Sequence, residues 1–175
     1  MILCDREIEL LCFDDEPMVD PLNTDKLQPA SLDICLGHSA KLLIEDPSLT
    51  KCTYKDIDLT KYTKENPYLF KPGQRLLVSS LESFNIPPNV CGIIKMKSSA
   101  GGKYIDCINS GFIDPGFNNA TLTIQLINQS FCDFPIYPGL SIVQVIFYWL
   151  GQTPKRNYGE IGSYNGIKQV RESVR

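Results

Sequence analysis

Residues 137–150 read Y-P-G-L-S-I-V-Q-V-I-F-Y-W-L, and residues 121–128 read T-L-T-I-Q-L-I-N. Both runs are short and rich in β-branched and aromatic residues, and a Pro-Gly turn stands between them. They read as two strands. The second carries one amide, Gln125, among aliphatics, before it ends on Asn128. The first has apolar residues on both faces: Ile142, Val143, Val145, Ile146, Phe147, Tyr148 and Trp149 are too many for one side of a small barrel.

The same grammar extends outward from this pair. S-L-D-I-C-L (31–36) alternates with period two, and Gly37 is expected to end it. A-K-L-L-I (40–44) is a second short candidate, and residues 46–67 read as a polar loop with one short strand at 57–59. P-Y-L-F, the turn K-P-G-Q, R-L-L-V-S-S, the turn P-P-N and V-C-G-I-I-K-M-K follow. Only D-R-E-I-E-L-L-C (5–12) reads as a helix, with Asp5 as its cap and Ile8, Leu11 and Cys12 on one face. Ten or more short strands separated by Pro-Gly turns predict an all-β fold: a sandwich, barrel or jelly roll.

The chain has 175 residues, enough for one domain with a substantial core. A net charge of −3 argues against binding nucleic acid polymer. No apolar run reaches the length of a membrane span, and the opening M-I-L-C-D-R-E is not a signal peptide, so a cytoplasmic protein is expected. Seven cysteines include no C-x-x-C pair, and they read as small buried hydrophobes in a reducing compartment. With a single histidine, His38, a zinc site is poorly supported, and His38 reads as a loop or strand-edge residue.

Two stretches offer chemistry. K-M-K-S-S-A-G-G-K (95–103) leaves a strand with lysines, hydroxyls and glycines that suit a phosphate chain, but it equally suits a solvated turn. It is not a Walker loop. N-S-G-F-I-D-P-G-F (109–117) pins Asp114 between Ile113 and Pro115, with Asn109 and Ser110 near enough to supply hydrogen bonds. Asp114 is either a functional carboxylate or the cap of the Pro-Gly turn.

Taken in order, these pieces resemble a known family. M-I-L-C-D-R-E-I, Q-P-A-S-L-D-I-C-L-G, L-E-S-F-N-I-P-P-N-V-C-G, K-S-S, G-F-I-D-P-G-F, T-L-T-I-Q-L-I-N, Y-P-G-L-S-I-V-Q-V-I-F and S-Y-N-G are similar to the successive motifs of the dCTP deaminases, within the dUTPase-like superfamily. The resemblance runs the length of the chain. It implies a distorted β-barrel or jelly roll over residues 1–154, a tail over 155–175 that closes on the nucleotide site, a homotrimer with sites between subunits, and a deoxypyrimidine nucleoside triphosphate bound with Mg2+. Zinc is not implied. In the family a glutamate activates water against C4 of cytosine and moves the proton toward departing ammonia, giving dUTP. Relatives that hydrolyse dUTP use the aspartate of the I-D motif to orient water toward the α-phosphate.

Carried over by position, the resemblance implies Lys97, Ser98 and Ser99 at the phosphates, with lysine where the family has arginine. It implies Asn109, Ser110 and Asp114 in the hairpin, Gln144 near the triphosphate, Tyr164 in the tail, and Lys168 as an added contact. Ser98, Asp114 and Gln125 are the catalytic candidates. A second family arginine falls on Gly102, a lost cation unless Lys103 replaces it. Gln125 falls on the catalytic glutamate, in an alignment that needs one inserted residue in F-N-N-A. An amide takes up no proton near neutral pH, and acid–base catalysis contributes about 10²–10⁴-fold. Deamination is therefore in doubt. The alternatives are a dUTPase-type pyrophosphatase acting through Asp114, with Tyr158 or Tyr164 as the stacking ring, or an inactive nucleotide-binding or assembly homologue.

Overall fold

The computed structural model describes residues 1–44, 48, 52–108 and 111–172. Twelve strands are defined among them: β1 (Val19–Asp20), β2 (Leu27–Gln28), β3 (Ser31–Ile44), β4 (Thr53–Asp58), β5 (Tyr68–Phe70), β6 (Arg75–Phe84), β7 (Val90–Met96), β8 (Ile105–Cys107), β9 (Phe112–Ile113), β10 (Ala120–Asn128), β11 (Phe134–Ile136) and β12 (Ser141–Trp149). Helices are short: α1 (Asp5–Cys12), α2 (Ser98–Gly101) and α3 (Tyr158–Ile161). The main sheet runs β8-β10-β6-β3-β12-β7-β9, with β1 on β6 and both β2 and β4 on β3. It curls into a half-barrel, while β5 and β11 pair separately. Phe70, Phe84, Phe147, Leu36, Val78 and Ile124 fill its interior with no solvent exposure.

Gly37 does not end a strand. The two short candidates at 31–36 and 40–44 form one strand, β3. A Cβ on residue 37 would lie 2.5 Å from both the Ser79 Oγ and the Ser80 carbonyl oxygen, so glycine here permits close approach of β3 and β6. The β3–β6 register shifts between Leu36 and Ala40, around this point. Residues 31–37 are all buried, covered on both faces, so the alternation seen in the sequence does not appear as alternating exposure.

The predicted strand at 57–59 begins earlier, as β4, and yields to a 3₁₀ turn at Leu59–Lys61. Part of the loop expected at 46–67 lies outside the described residues. The cap of α1 is Cys4, whose N–H donates to Glu7 Oε2 at 2.9 Å. Asp5 instead lies in the first turn, where its charge complements the positive end of the helix dipole. Glu7 Oε1 also accepts from the Trp149 indole at 3.0 Å and ties the helix to β12. All seven cysteines are free, but only Cys12, Cys35 and Cys91 are buried; Cys52 and Cys132 are exposed. Burial pushes the thiols of Cys12 and Cys35 up to about 11, which keeps them protonated and unreactive.

No described helix is long and apolar enough to cross a membrane. On β12, Val143, Val145 and Phe147 are fully buried, while Gln144, Ile146 and Tyr148 are only half-buried. One face packs the core of this chain, and the other remains partly open.

Candidate active site

The Asp114 turn is clamped from both sides. β9 pairs with β7 through Ile113 and Gly92. The Gly116 N–H donates to Ile86 O (3.0 Å), and the Ile86 N–H donates to Phe117 O (2.7 Å). Ile113 and Phe117 are buried anchors on either side of the aspartate. Gly116 has φ +83°, and Asn157 and Gly159 of the tail lie about 3 Å from where a Cβ would sit. The tail therefore docks directly on the turn, and the Tyr158 N–H donates to Pro115 O at 2.7 Å.

Between this turn and β10 lies a cavity of about 470 Å³. Asp114, Gln125, Thr121, Thr123, Tyr158 and Tyr164 line it, with Tyr54, Ile167 and Arg171 at its edges. Gln125 is exposed on β10 because its neighbours Ile124 and Leu126 turn into the core. Its carbonyl accepts the Ile108 N–H at 2.9 Å, and its side-chain amide makes no hydrogen bond to a described residue. The Asp114 carboxylate likewise has no hydrogen-bond or ion-pair partner among the described residues, so the turn-cap role does not account for it. Burial pushes the Tyr158 phenol up, and the charges of Asp114 and Tyr164 add to this against opposing backbone hydrogen bonds. Cys91 is pushed up by burial first and by Asp114 second. The Tyr158 phenol and the Cys91 thiol beside the turn are thus both held in their protonated forms.

A second polar group forms where β3, β12 and the end of β7 meet. Lys97 pairs with Asp33 Oδ2 and approaches Ser141 Oγ at 3.5 Å. Gln28 Nε2 donates to Asp33 Oδ2 at 3.4 Å, and Ser31 Oγ donates to Gln144 Oε1 at 3.1 Å. Asp33 and Gln144 are register partners. Asp33 Oδ1 is buried and has no hydrogen-bond partner among the described residues. Lys97 caps α2, whose exposed first residues are Ser98 and Ser99.

The sequence-predicted residues thus fall into two groups within one chain. Asp114, Gln125 and Tyr164 share the cavity; Lys97, Ser98, Ser99 and Gln144 do not line it. Lys168 lines a different cavity of about 650 Å³, beside His38, Ser39 and Lys41. Lys103 lies over the Phe134 ring, 5.9 Å from its centroid. Asn109 and Ser110 lie outside the described residues. Tyr54 and Arg171 carry no motif, and nothing in the sequence pointed to them. Asp33 sits inside the Q-P-A-S-L-D run, which was the one available signal for it. Among the described residues no three His, Cys, Asp or Glu side chains converge as a metal cage.

The family model for dCTP deaminase-like proteins matches residues 2–150. The chain belongs to this family. It is 32% identical over 171 residues to the dUMP-forming dCTP deaminase of Aquifex aeolicus, covering 97% of this chain and 92% of that one. The dCTP deaminase of Agrobacterium tumefaciens superposes with a TM-score of 0.67 at 23% identity, over 83% of this chain and 47% of that protein; this chain thus matches about half of its length. A mutant form of the dUTPase of Staphylococcus bacteriophage 80alpha superposes with a TM-score of 0.50 at 14% identity over 89% of this chain and 96% of that one. These two structures share the fold. At the entry to β10, Asn119 has φ +46° and the β10–β6 register shifts between Thr121 and Thr123. The shift marks a β-bulge, and beyond it Gln125 points outward.

Proposed function

We propose that this chain is a dCTP deaminase-like protein of pyrimidine deoxynucleotide metabolism that binds a deoxypyrimidine nucleoside triphosphate in the Asp114–Gln125 cavity, and in which triphosphate hydrolysis outlasts deamination. The observation that carries this is the pair itself: one carboxylate and one amide, both without partners among the described residues, line the same cavity. The relatives' name, dUMP-forming dCTP deaminase, describes proteins that take a deoxycytidine triphosphate to a monophosphate. Both chemistries are therefore relevant to this cavity.

Deamination of dCTP to dUTP and ammonia needs a group that accepts a proton from water and delivers it to the leaving nitrogen. Gln125 can orient the pyrimidine edge but cannot carry that proton. Hydrolysis asks less of it. Asp114 accepts a hydrogen bond from water and directs the oxygen at the α-phosphorus; the new P–O bond forms as the bond to the bridging oxygen breaks, and pyrophosphate departs. Tyr158 and Tyr164 offer aromatic surface against base or sugar.

The magnesium ion expected with the nucleotide would be held through the triphosphate and water, and no described residue is assigned to it; Asp33 is buried and already paired with Lys97. Bound that way, it would neutralise phosphate charge. No zinc enters this proposal.

Lys97, Ser98, Ser99 and Gln144 complete the site only if it is shared. We take the protein as a cytoplasmic homotrimer in which the cavity of one subunit meets the Lys97 group of the next. The half-open face of β12, with Ile146 and Tyr148, supplies apolar surface for that contact. Equilibrium sedimentation checks it, and a monomer would leave the shared site without a basis.

The deciding assay incubates protein and Mg2+ with dCTP and dUTP and follows ammonia and pyrophosphate. Pyrophosphate without ammonia is expected. Ammonia from wild-type protein would restore the full deaminase. Neither product, with nucleotide still bound, would favour the inactive homologue, a reading supported by the loss of a cation at Gly102.

A further inference from the structure

The phosphate chain of a bound nucleotide needs cations, and the expected ones are engaged or absent. Gly102, in the K-S-S-A-G-G-K run, supplies no charge. Lys97 is paired with Asp33, Lys103 lies over Phe134, and Lys168 lines the other cavity. Arg75 lines a small adjoining pocket of about 140 Å³ with Tyr54 and Gln125, and it is not without a partner. Among the described residues that line the Asp114 cavity, the one cation is Arg171.

Arg171 is exposed and makes no hydrogen bond or ion pair with a described residue, yet its backbone is anchored on both sides. Upstream, the Thr121 N–H donates to Ile167 O at 2.8 Å, and the Val170 N–H donates to Ser39 Oγ at 3.1 Å. Downstream, Glu172 pairs with Lys41 at 3.2 Å, and Lys41 also holds Asp56 at 2.7 Å. Val170 is buried. The strap thus separates the two cavities: Ile167 and Arg171 line one, while Lys168, Gln169 and Val170 line the other. Thr121 belongs to both walls.

We propose that Arg171 is the cation that this subunit itself contributes to the phosphate chain in this site. The inference rests on the cavity being the nucleotide site. An arginine suits this task because its planar fork grips two phosphate oxygens at once and it stays charged at any working pH. Among the described residues that line the cavity, the one acid is Asp114 and the one base is Arg171, and they do not pair with each other. That separation leaves Asp114 for water and Arg171 for phosphate. Lys41 is a positioning residue, acting through Glu172.

The test is calorimetric titration with α,β-imido-dUTP, dUMP and deoxyuridine at constant Mg2+, using wild type, Arg171→Ala, Arg171→Lys and, as a control, Lys64→Ala, an exposed residue. Arg171→Ala should weaken the triphosphate analogue about tenfold or more, as expected for losing a charged hydrogen-bonding partner. Arg171→Lys should fall between, deoxyuridine should bind all variants alike, and Lys64→Ala should match wild type. Unchanged affinity of Arg171→Ala for the analogue overturns the assignment while leaving the nucleotide cavity standing. An equal loss for deoxyuridine overturns it too, since that would mark a structural role. If wild type binds none of the three, the cavity reading itself fails and this inference falls with it. A common melting temperature across the variants guards against misfolding, which the exposure of Arg171 makes unexpected.

Discussion

The two polar groups of this chain solve opposite problems. In the cavity, Asp114 and Gln125 are fixed by the backbone around them, and their side-chain ends make no hydrogen bond to a described residue. In the Asp33 group the side chains fix each other: Lys97 holds Asp33, Gln28 supports it, and Ser31 holds Gln144. The first arrangement suits groups that must act on a ligand, because nothing has to be released before they do so. The second suits groups that are desolvated between strands, where an unpaired charge would be costly. Even there one atom is left over, Asp33 Oδ1.

The sharpest way to break this contrast is to remove the unpartnered carboxylate. Asp114→Asn should lower pyrophosphate release by about 10²–10⁴-fold while binding of a non-hydrolysable analogue changes little. A variant that keeps its turnover would return Asp114 to the role of a turn residue. Next in size, Gln125→Glu restores a proton carrier to the same wall and should raise ammonia release from dCTP on the order of 10²-fold. If ammonia stays absent while nucleotide binds, Gln125 does not face C4 of the base.

In the paired group the expected effect is on stability. Lys97→Ala leaves a buried carboxylate unpaired and should cost about 2 kcal/mol in denaturant unfolding, less than a fully buried pair because Lys97 reaches solvent. The double variant Asp33→Asn, Lys97→Met should recover most of that loss. A cost equal to the sum of the single variants would mean the two residues act independently.

The smallest expected effect concerns Glu82, which is buried beside the Asp33 strand and accepts the Cys35 N–H with both oxygens at 3.1 Å. Burial raises its carboxyl above the ordinary 4.5, against the backbone hydrogen bonds that lower it. The folded state therefore holds this proton more tightly than the unfolded chain. Its contribution is fully present below the unfolded value and is lost as pH rises through the raised folded one. Glu82→Gln should remove that loss. The stability difference between variant and wild type, followed by denaturant titration, should grow in favour of the variant as pH rises from 4.5. A constant difference across that range would mean that Glu82 does not titrate there.

Much of the fold was legible in local pattern. T-L-T-I-Q-L-I-N became β10, with Ile124 and Leu126 inside and Gln125 outside, because a strand alternates its faces whatever surrounds it. β3 was misread at Gly37 because the same residue serves a chain end and a close contact, and only the position of Ser79 and Ser80 separates the two. The candidate site was legible where a motif carried it, as with Asp114, Gln125 and Tyr164. Arg171 and Tyr54 carried no motif, since a residue that reaches a cavity from a tail or an edge strand is under no local pattern.

Read alone, the amino-acid order determined the β architecture and the family, since alternation, turn residues and motif order are all properties of neighbours along the chain. Tertiary structure decided which side chains meet: residues 54, 114, 125, 164 and 171 share one cavity, while Lys97 and Gln144 belong to another group. That outcome depends on strand pairings and a docked tail that join distant segments, and contacts of that range leave no trace in the spacing of any one stretch.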